Sequence, residues 1–145
     1  MKIAFSLFLI VFSCLCDAQT VQISLEPKLA ENIHRLDQLM ENNDKKVLTL
    51  LCPDVSFGHS NGWMQNFEDF KKDFNSKKVM YSNIEQIEIY EAKKYNDVYS
   101  VRRKIKVSGM YKNQDFEMML GLLEIWKKEK SLWKLWSRQS IEIKP

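Results

Sequence analysis

From Lys77 to the C-terminus the apolar residues recur at every second position, whereas before it they recur at steps of three and four. That switch of period confines helices to the first half of the chain and predicts a sheet for the second. In "DVYSVRRKIKVSG", Tyr99, Val101, Arg103, Ile105 and Val107 fall on one side, and Arg102, Lys104 and Lys106 on the other. "MYSNIEQIEIYEA" carries Ile84, Ile87 and Ile89, and "QDFEMMLGLLEIWKK" and "LWKLWSRQSIEI" supply two further runs. Turn-forming stretches separate them at Lys94-Tyr95-Asn96-Asp97, Met110-Tyr111-Lys112-Asn113 and Glu129-Lys130-Ser131, so the four strands read as an antiparallel meander.

Upstream, Leu25, Leu29, Ile33, Leu36 and Met40 form one apolar stripe of an amphipathic helix. Asn42-Asn43-Asp44 breaks it, and Asp44 can cap a second, shorter helix, "KKVLTLLC". Pro53 is expected to end that helix and start a strand, "VSFGHSN", with Val55, Phe57, His59 and Asn61 sharing a face before Gly62 turns the chain. Asn66 can cap a third helix striped by Phe67, Phe70 and Phe74. Helices segregated from a meander predict an α+β domain with the helices on one face of a curved sheet, and 145 residues suit a single domain.

The first residues read differently. Lys2, an apolar run from Ile3 to Leu15, and Cys16-Asp17-Ala18-Gln19 have the form of a secretory leader, 1–18, cut after Ala18. The run is shorter than the roughly 20 apolar residues that span a bilayer, so no membrane span is expected. A lipoprotein signal with Cys14 acylated is the alternative, and Phe12 fits it poorly. Export of the mature domain 19–145 to the periplasm or outside the cell leaves Cys52 as its one cysteine, so no internal disulfide supports the fold. Cys52 reads as a buried small hydrophobe. Residues 19–69 carry 4 Lys/Arg and 8 Asp/Glu, and residues 70–145 carry 17 and 10. No arginine-rich arm or aromatic nucleic-acid motif accompanies the basic half, which reads as a solvated face rather than a nucleic-acid site.

Several residues are candidates for a site. His59 has a side chain whose ordinary pKa near ~6.5 suits proton transfer; as a structural residue it would instead fix the following turn. Asn61 can close that turn through its own amide, or line a pocket with His59. Trp63, Tyr81 and the tryptophans at 126, 133 and 136 can stack on a flat apolar ligand or simply fill the core. Arg103 occupies the apolar phase of its strand, so it must meet a carboxylate, Glu117 or Glu124, or hold an anionic ligand. Gln139 shares a phase with Trp133 and Leu135, while Arg138 lies opposite with Trp136; a slip of one residue would exchange the two. Two histidines on distant elements make a poor metal site, and no cofactor is implied.

The run "LDQLMENNDKKVLTLLCPDVSFGHSNG" together with "LLEIWKKEKSLWKLWSRQS" resembles the NTF2-like superfamily, in particular its DUF4440 or SnoaL-like group. The matching positions are Asn43-Asp44, His59-Ser60-Asn61-Gly62, Trp126-Lys127, and Trp133 with Gln139. The resemblance implies an NTF2-like cone, three N-terminal helices packed on a highly curved, mainly antiparallel sheet, with a pocket at the open end and homodimers paired through the sheet. It covers ketosteroid isomerases, whose general base and oxyanion-hole tyrosine align with His59 and Leu36, so that type of isomerase is not retained. Three readings remain. The first is a small-molecule binder whose pocket residues are His59, Asn61, Trp63, Arg103 and Gln139 and whose ligand is acidic or aromatic. The second is an isomerase, lyase or cyclase with His59 as acid/base. The third is a homodimeric interaction module.

Overall fold

Pro27 suits a helix start, because the N–H it lacks is one a first turn leaves unpaired, and helix α1 runs Pro27–Glu41. The computed structural model describes residues 24–144, so the leader in 1–18, its cut at Ala18–Gln19 and Cys14 lie outside the described residues. The stripe of Leu29, Ile33, Leu36 and Met40 is buried, and two polar residues, Asn32 and Asp37, are buried beside it. Asn32 Nδ2 donates to the Trp133 carbonyl at 2.8 Å. The second helix is a single short 3-10 segment, Lys45–Leu50, with the Asp44 side chain accepting from the Lys46 N–H. It ends before Leu51 rather than at Pro53, because Leu51 already pairs with Leu135 in the sheet. Strand β1 is therefore Leu51–Gly58. Cys52 is buried in it, and burial pushes its thiol up to about 11, far from the range of a reactive thiolate.

Strand β1 stops at Gly58, so His59 and Asn61 belong to a turn and not to the strand face. A short strand β2, Met64–Asn66, returns antiparallel on β1, an element with too few residues to announce itself by alternation. Helix α2, Phe67–Asn75, follows directly, with the Asn66 side chain accepting from the Asp69 N–H at 2.9 Å. Then come β3 Val79–Tyr95, β4 Val98–Tyr111, β5 Gln114–Glu129 and β6 Leu132–Ile143. The six strands form one mixed sheet in the order β2-β1-β6-β5-β4-β3. The β1–β6 pair is parallel and the others are antiparallel.

Bulges decide which side chains face inward, since one extra residue in a strand reverses the phase beyond it. Strand β3 carries extra residues at Ser82, Ile87 and Tyr90. Ile87 and Tyr90 are consequently exposed, while Tyr81, Ile84 and Ile89 pack on the core. The Glu41 carboxylate at the end of α1 accepts from the Ile84 N–H beside the first bulge. In β6 the extra residue is Trp136, between Leu135 opposite Trp126 and Ser137 opposite Ile125. Phase before the bulge buries Trp133 and Leu135; phase after it buries Arg138 and exposes Gln139. The even alternation first read along "LWKLWSRQSIEI" is corrected there.

Between α1 and the sheet lies a chain of alternating charges from four elements. Arg103 on β4, 0% exposed, donates from Nη1 and Nη2 to the Asp37 carboxylate of α1 at 2.5 and 2.8 Å. From Nε and Nη2 it also donates to Glu124 of β5 at 3.2 and 3.0 Å. Glu124 further accepts from Trp126 Nε1 at 3.0 Å and lies 2.7 Å from Arg138 Nη2 of β6. Of the two carboxylates first considered for Arg103, Glu124 is the partner; Glu117 pairs with Lys106 at 2.9 Å. Desolvation alone would raise the Glu124 carboxyl, but the charges of Arg103 and Arg138 and the hydrogen bonds outweigh it and pull it down to about 2. The same carboxylates hold the Arg103 guanidinium above its ordinary value against desolvation.

Replacing Glu124 by Gln leaves two buried arginines short of a counter-charge. Glu124→Gln should therefore lower unfolding stability at pH 7 by about 3–5 kcal/mol. A carboxyl whose folded pKa is depressed contributes fully above its ordinary value near 4.5 and loses that contribution as pH falls toward about 2. Urea melts of both proteins should therefore converge between those pH values. Equal stability at pH 7 would show that the charge chain does not support the fold.

Candidate functional site

The turn after β1 is built by its own residues. Gly62 N–H donates to the His59 carbonyl and His59 N–H to the Trp63 carbonyl, each at 2.9 Å. Gly62 sits at φ +84°, a conformation that glycine adopts without strain. Asn61 Oδ1 accepts from the Trp63 N–H at 3.0 Å, the local closure that asparagine favours. The His59 ring stacks on the Trp63 indole, centroids 4.7 Å apart and planes 19° from parallel.

A hydrogen-bonded chain ties this turn to α2. His59 Nε2 meets Gln65 Oε1 at 3.1 Å, and Gln65 Nε2 donates to Asp73 Oδ2 at 3.1 Å. Lys78 Nζ donates to the same Asp73 oxygen at 2.9 Å and lies 5.3 Å from the Trp63 ring centroid. The Asp73 hydrogen bond lifts the Lys78 ammonium above its ordinary value. Because the Gln65 amide nitrogen is committed to Asp73, its oxygen faces the histidine. The neutral His59 ring then carries its proton on Nε2, leaving Nδ1 as the basic nitrogen.

Behind the turn is a cavity of about 540 Å³, within the usual size of small-molecule sites. Its walls are the stacked rings of Phe57, Phe70 and Phe74 on one side. Val107, Phe116, Met118 and Leu120 of the sheet form the other. Gly109 lets β3 and β4 approach closely at that end, since an added Cβ would stand 2.1 Å from the Met80 carbonyl oxygen. Polar groups gather at two places on the lining. His59, Asn61 and Trp63 stand at the mouth, where Trp63 is 42% exposed. Tyr81, Arg138 and Ser140 stand inside. Burial pushes the Tyr81 phenol up, with Arg138 pulling it the other way, so its hydroxyl is protonated at neutral pH and can donate.

The structure thus brings together His59, Asn61 and Trp63 of the residues read from the sequence. Two others stand elsewhere. Arg103 is off the cavity lining, buried between its two carboxylates, and Gln139, reversed by the Trp136 bulge, is exposed and donates to the Ser140 carbonyl at 3.2 Å. Sequence reading named Tyr81 only among the aromatic residues, did not single out Gln65 or Asp73, and placed Arg138 on the wrong side. Among the described residues no three His, Cys, Asp or Glu side chains cluster as metal ligands. None of the described helices is long and apolar enough to cross a membrane.

Solved structures share this architecture. An NTF2-like protein of unknown function in nutrient uptake from Rhodospirillum rubrum superposes with a TM-score of 0.75 at 22% identity, over 80% of this chain and 98% of that one. An NTF2-like protein from Cytophaga hutchinsonii gives 0.74 at 20% identity, over 79% and 95%. An NTF2-like protein of unknown function from Prochlorococcus gives 0.67 at 15% identity, over 80% and 94%. The chain therefore has the NTF2-like fold. No protein-family model and no curated protein matches it.

Gln65, 6% exposed, is the link between turn and helix. Gln65→Leu should lower stability by about 1–2 kcal/mol and loosen the mouth. The readout is acrylamide quenching in a Trp136→Phe background, where Trp63 remains exposed and Trp126 and Trp133 are buried. Quenching should rise on Gln65→Leu; an unchanged value would mean that the backbone bonds of the turn hold Trp63 without the chain.

Proposed function

We propose that this protein binds a small, largely apolar molecule in the cavity between α2 and the sheet. The carrying observation is the cavity itself, with apolar walls over most of its lining and polar groups confined to the mouth and one interior patch, the usual make-up of a ligand site. His59, Asn61 and Trp63 are the residues a ligand would pass or touch at the entrance, with the Trp63 indole offering a flat face for stacking.

A second reading, an isomerase, lyase or cyclase with His59 as acid/base, is favoured by one observation. The Asp73–Gln65–His59 chain orients the ring and leaves Nδ1 basic, as a general base requires. The two readings part on the fate of the ligand: a binder releases it unchanged, whereas the enzyme alters its structure.

The finer parts of the reading are that the mature chain 19–145 works outside the cytoplasm, belongs with the DUF4440 or SnoaL-like proteins, and pairs as a homodimer. Pairing is supported by the outward residues of β5 and β6. Met119, Leu123 and Ile125 alternate with the buried positions of β5, and Ile143 faces Met119 across the strands. Ile141 beside them is 58% exposed.

Two experiments test these statements. Met118→Trp places an indole in the cavity without touching the charge chain. Wild-type protein should enhance Nile red fluorescence and the variant should not, at comparable thermal stability; equal enhancement would mean that the dye binds elsewhere and the cavity is not a site. Sedimentation of the mature chain should show a dimer that Leu123→Glu converts to a monomer. A monomeric wild type would remove the pairing.

A further inference from the structure

Among the described residues, the buried side-chain nitrogens without a hydrogen-bond partner, Nε and Nη2, both belong to Arg138. Arg138 is 8% exposed and borders the cavity. Its Nη1 makes a long contact, 3.8 Å, to the Met40 sulfur. Its Nη2 is ion-paired with Glu124 Oε1 at 2.7 Å without meeting hydrogen-bond geometry. Glu124 is shared: Oε2 takes Arg103 Nε and Trp126 Nε1, and Oε1 takes Arg103 Nη2 beside its contact with Arg138.

The order of charges gives this edge a polarity. Asp37, Arg103, Glu124 and Arg138 alternate negative, positive, negative, positive, and the terminal positive group borders the cavity. The remaining charged pair on the lining, Asp73 with Lys78, is satisfied internally at 2.9 Å. A buried guanidinium whose Nε has no acceptor in the protein is chemically suited to a carboxylate, the group arginine recognises best. The Tyr81 hydroxyl and the Ser140 hydroxyl border the same cavity.

We infer that the ligand is an organic monocarboxylate with an apolar body, its carboxylate received by the Arg138 guanidinium and its body lying between Phe74 and the Met118–Leu120 wall. This rests on the cavity being a binding site, as proposed above, and adds the chemical class and the residue that selects it.

The test uses matched pairs: benzoate, cinnamate, 2-naphthoate, octanoate and decanoate against their primary amides, with saturation-transfer NMR for detection and titration for affinity. The proteins are wild type, Arg138→Lys and Met118→Trp, each checked for native circular dichroism. Arg138→Lys keeps the counter-charge for Glu124 but loses the planar fork, so it should fold where a neutral replacement could fail. At least one acid should bind wild type about tenfold or more tightly than its amide, the difference expected for charge-assisted hydrogen bonds. Arg138→Lys should bring that preference below about threefold, and Met118→Trp should abolish binding of both members. Acid and amide binding equally to wild type, both blocked by Met118→Trp, would overturn the carboxylate class and leave the site standing. A preference unaltered in Arg138→Lys would overturn the role of Arg138. No binding by any probe, together with Nile red enhancement unaffected by Met118→Trp, would overturn both readings.

Discussion

Arg103 is the interaction on which the rest of the structure depends. A guanidinium with no exposure is tolerable only with full ionic and hydrogen-bonded compensation, and the compensation comes from two carboxylates on different elements, Asp37 of α1 and Glu124 of β5. Two carboxylates exceed one arginine by a charge, so the arrangement calls for a second cation, which Arg138 of β6 supplies. Three strands and the long helix are thereby tied at one point. Replacing such a network with apolar side chains is often neutral or stabilising; what the network adds is discrimination. A slip of β4, β5 or β6 by one residue would carry one of these charges to the outer face and leave its partners buried and unpaired.

That requirement explains the bulge at Trp136. Trp133 and Leu135 must face inward to pack against α1 and Trp126, and Arg138 must face inward opposite Glu124. Positions 133, 135 and 138 cannot share a face without one extra residue between 135 and 138. Much of the rest of the fold was legible because its phase is unbroken. β4 and β5 pair without a shift, so the inward set of Tyr99, Val101, Arg103, Ile105 and Val107 can be read directly from alternation. β3 and β6 resist the same reading because a bulge changes the phase without any residue type that marks it. Asp37 was hidden differently. It follows Leu36 on α1 and looks like the polar border of an apolar stripe until Arg103 is seen opposite.

The mouth of the cavity was easier to read than its interior for a related reason. Histidine, asparagine and glycine in "GHSNG" have turn chemistry that acts locally, through the Asn61 side chain and the left-handed Gly62. The interior depends on Tyr81 and Arg138, strand residues placed by bulges and long-range pairing. The two regions also differ in mechanics. The mouth is held by local contacts, the backbone bonds of the turn, the Asn61 closure and the His59–Gln65–Asp73 hydrogen bonds. The interior is fixed by the ion pairs that organise the sheet and cannot move without them.

The charge chain accounts for only part of what Arg138 presents. The charge chain needs only its positive charge near Glu124, and a lysine could deliver that. It does not need a guanidinium whose Nε has no acceptor, on a residue that borders an apolar cavity. Burying donors without partners costs stability, and so does leaving volume unfilled where Met118, Leu120 and Phe74 could have met. Both costs fall at the same place on the concave face. A sequence selected only to fold would remove them with a larger residue at Ser140 or Met118. Their coincidence supports the proposed binding site, because local departures from good packing and full hydrogen bonding concentrate at functional sites.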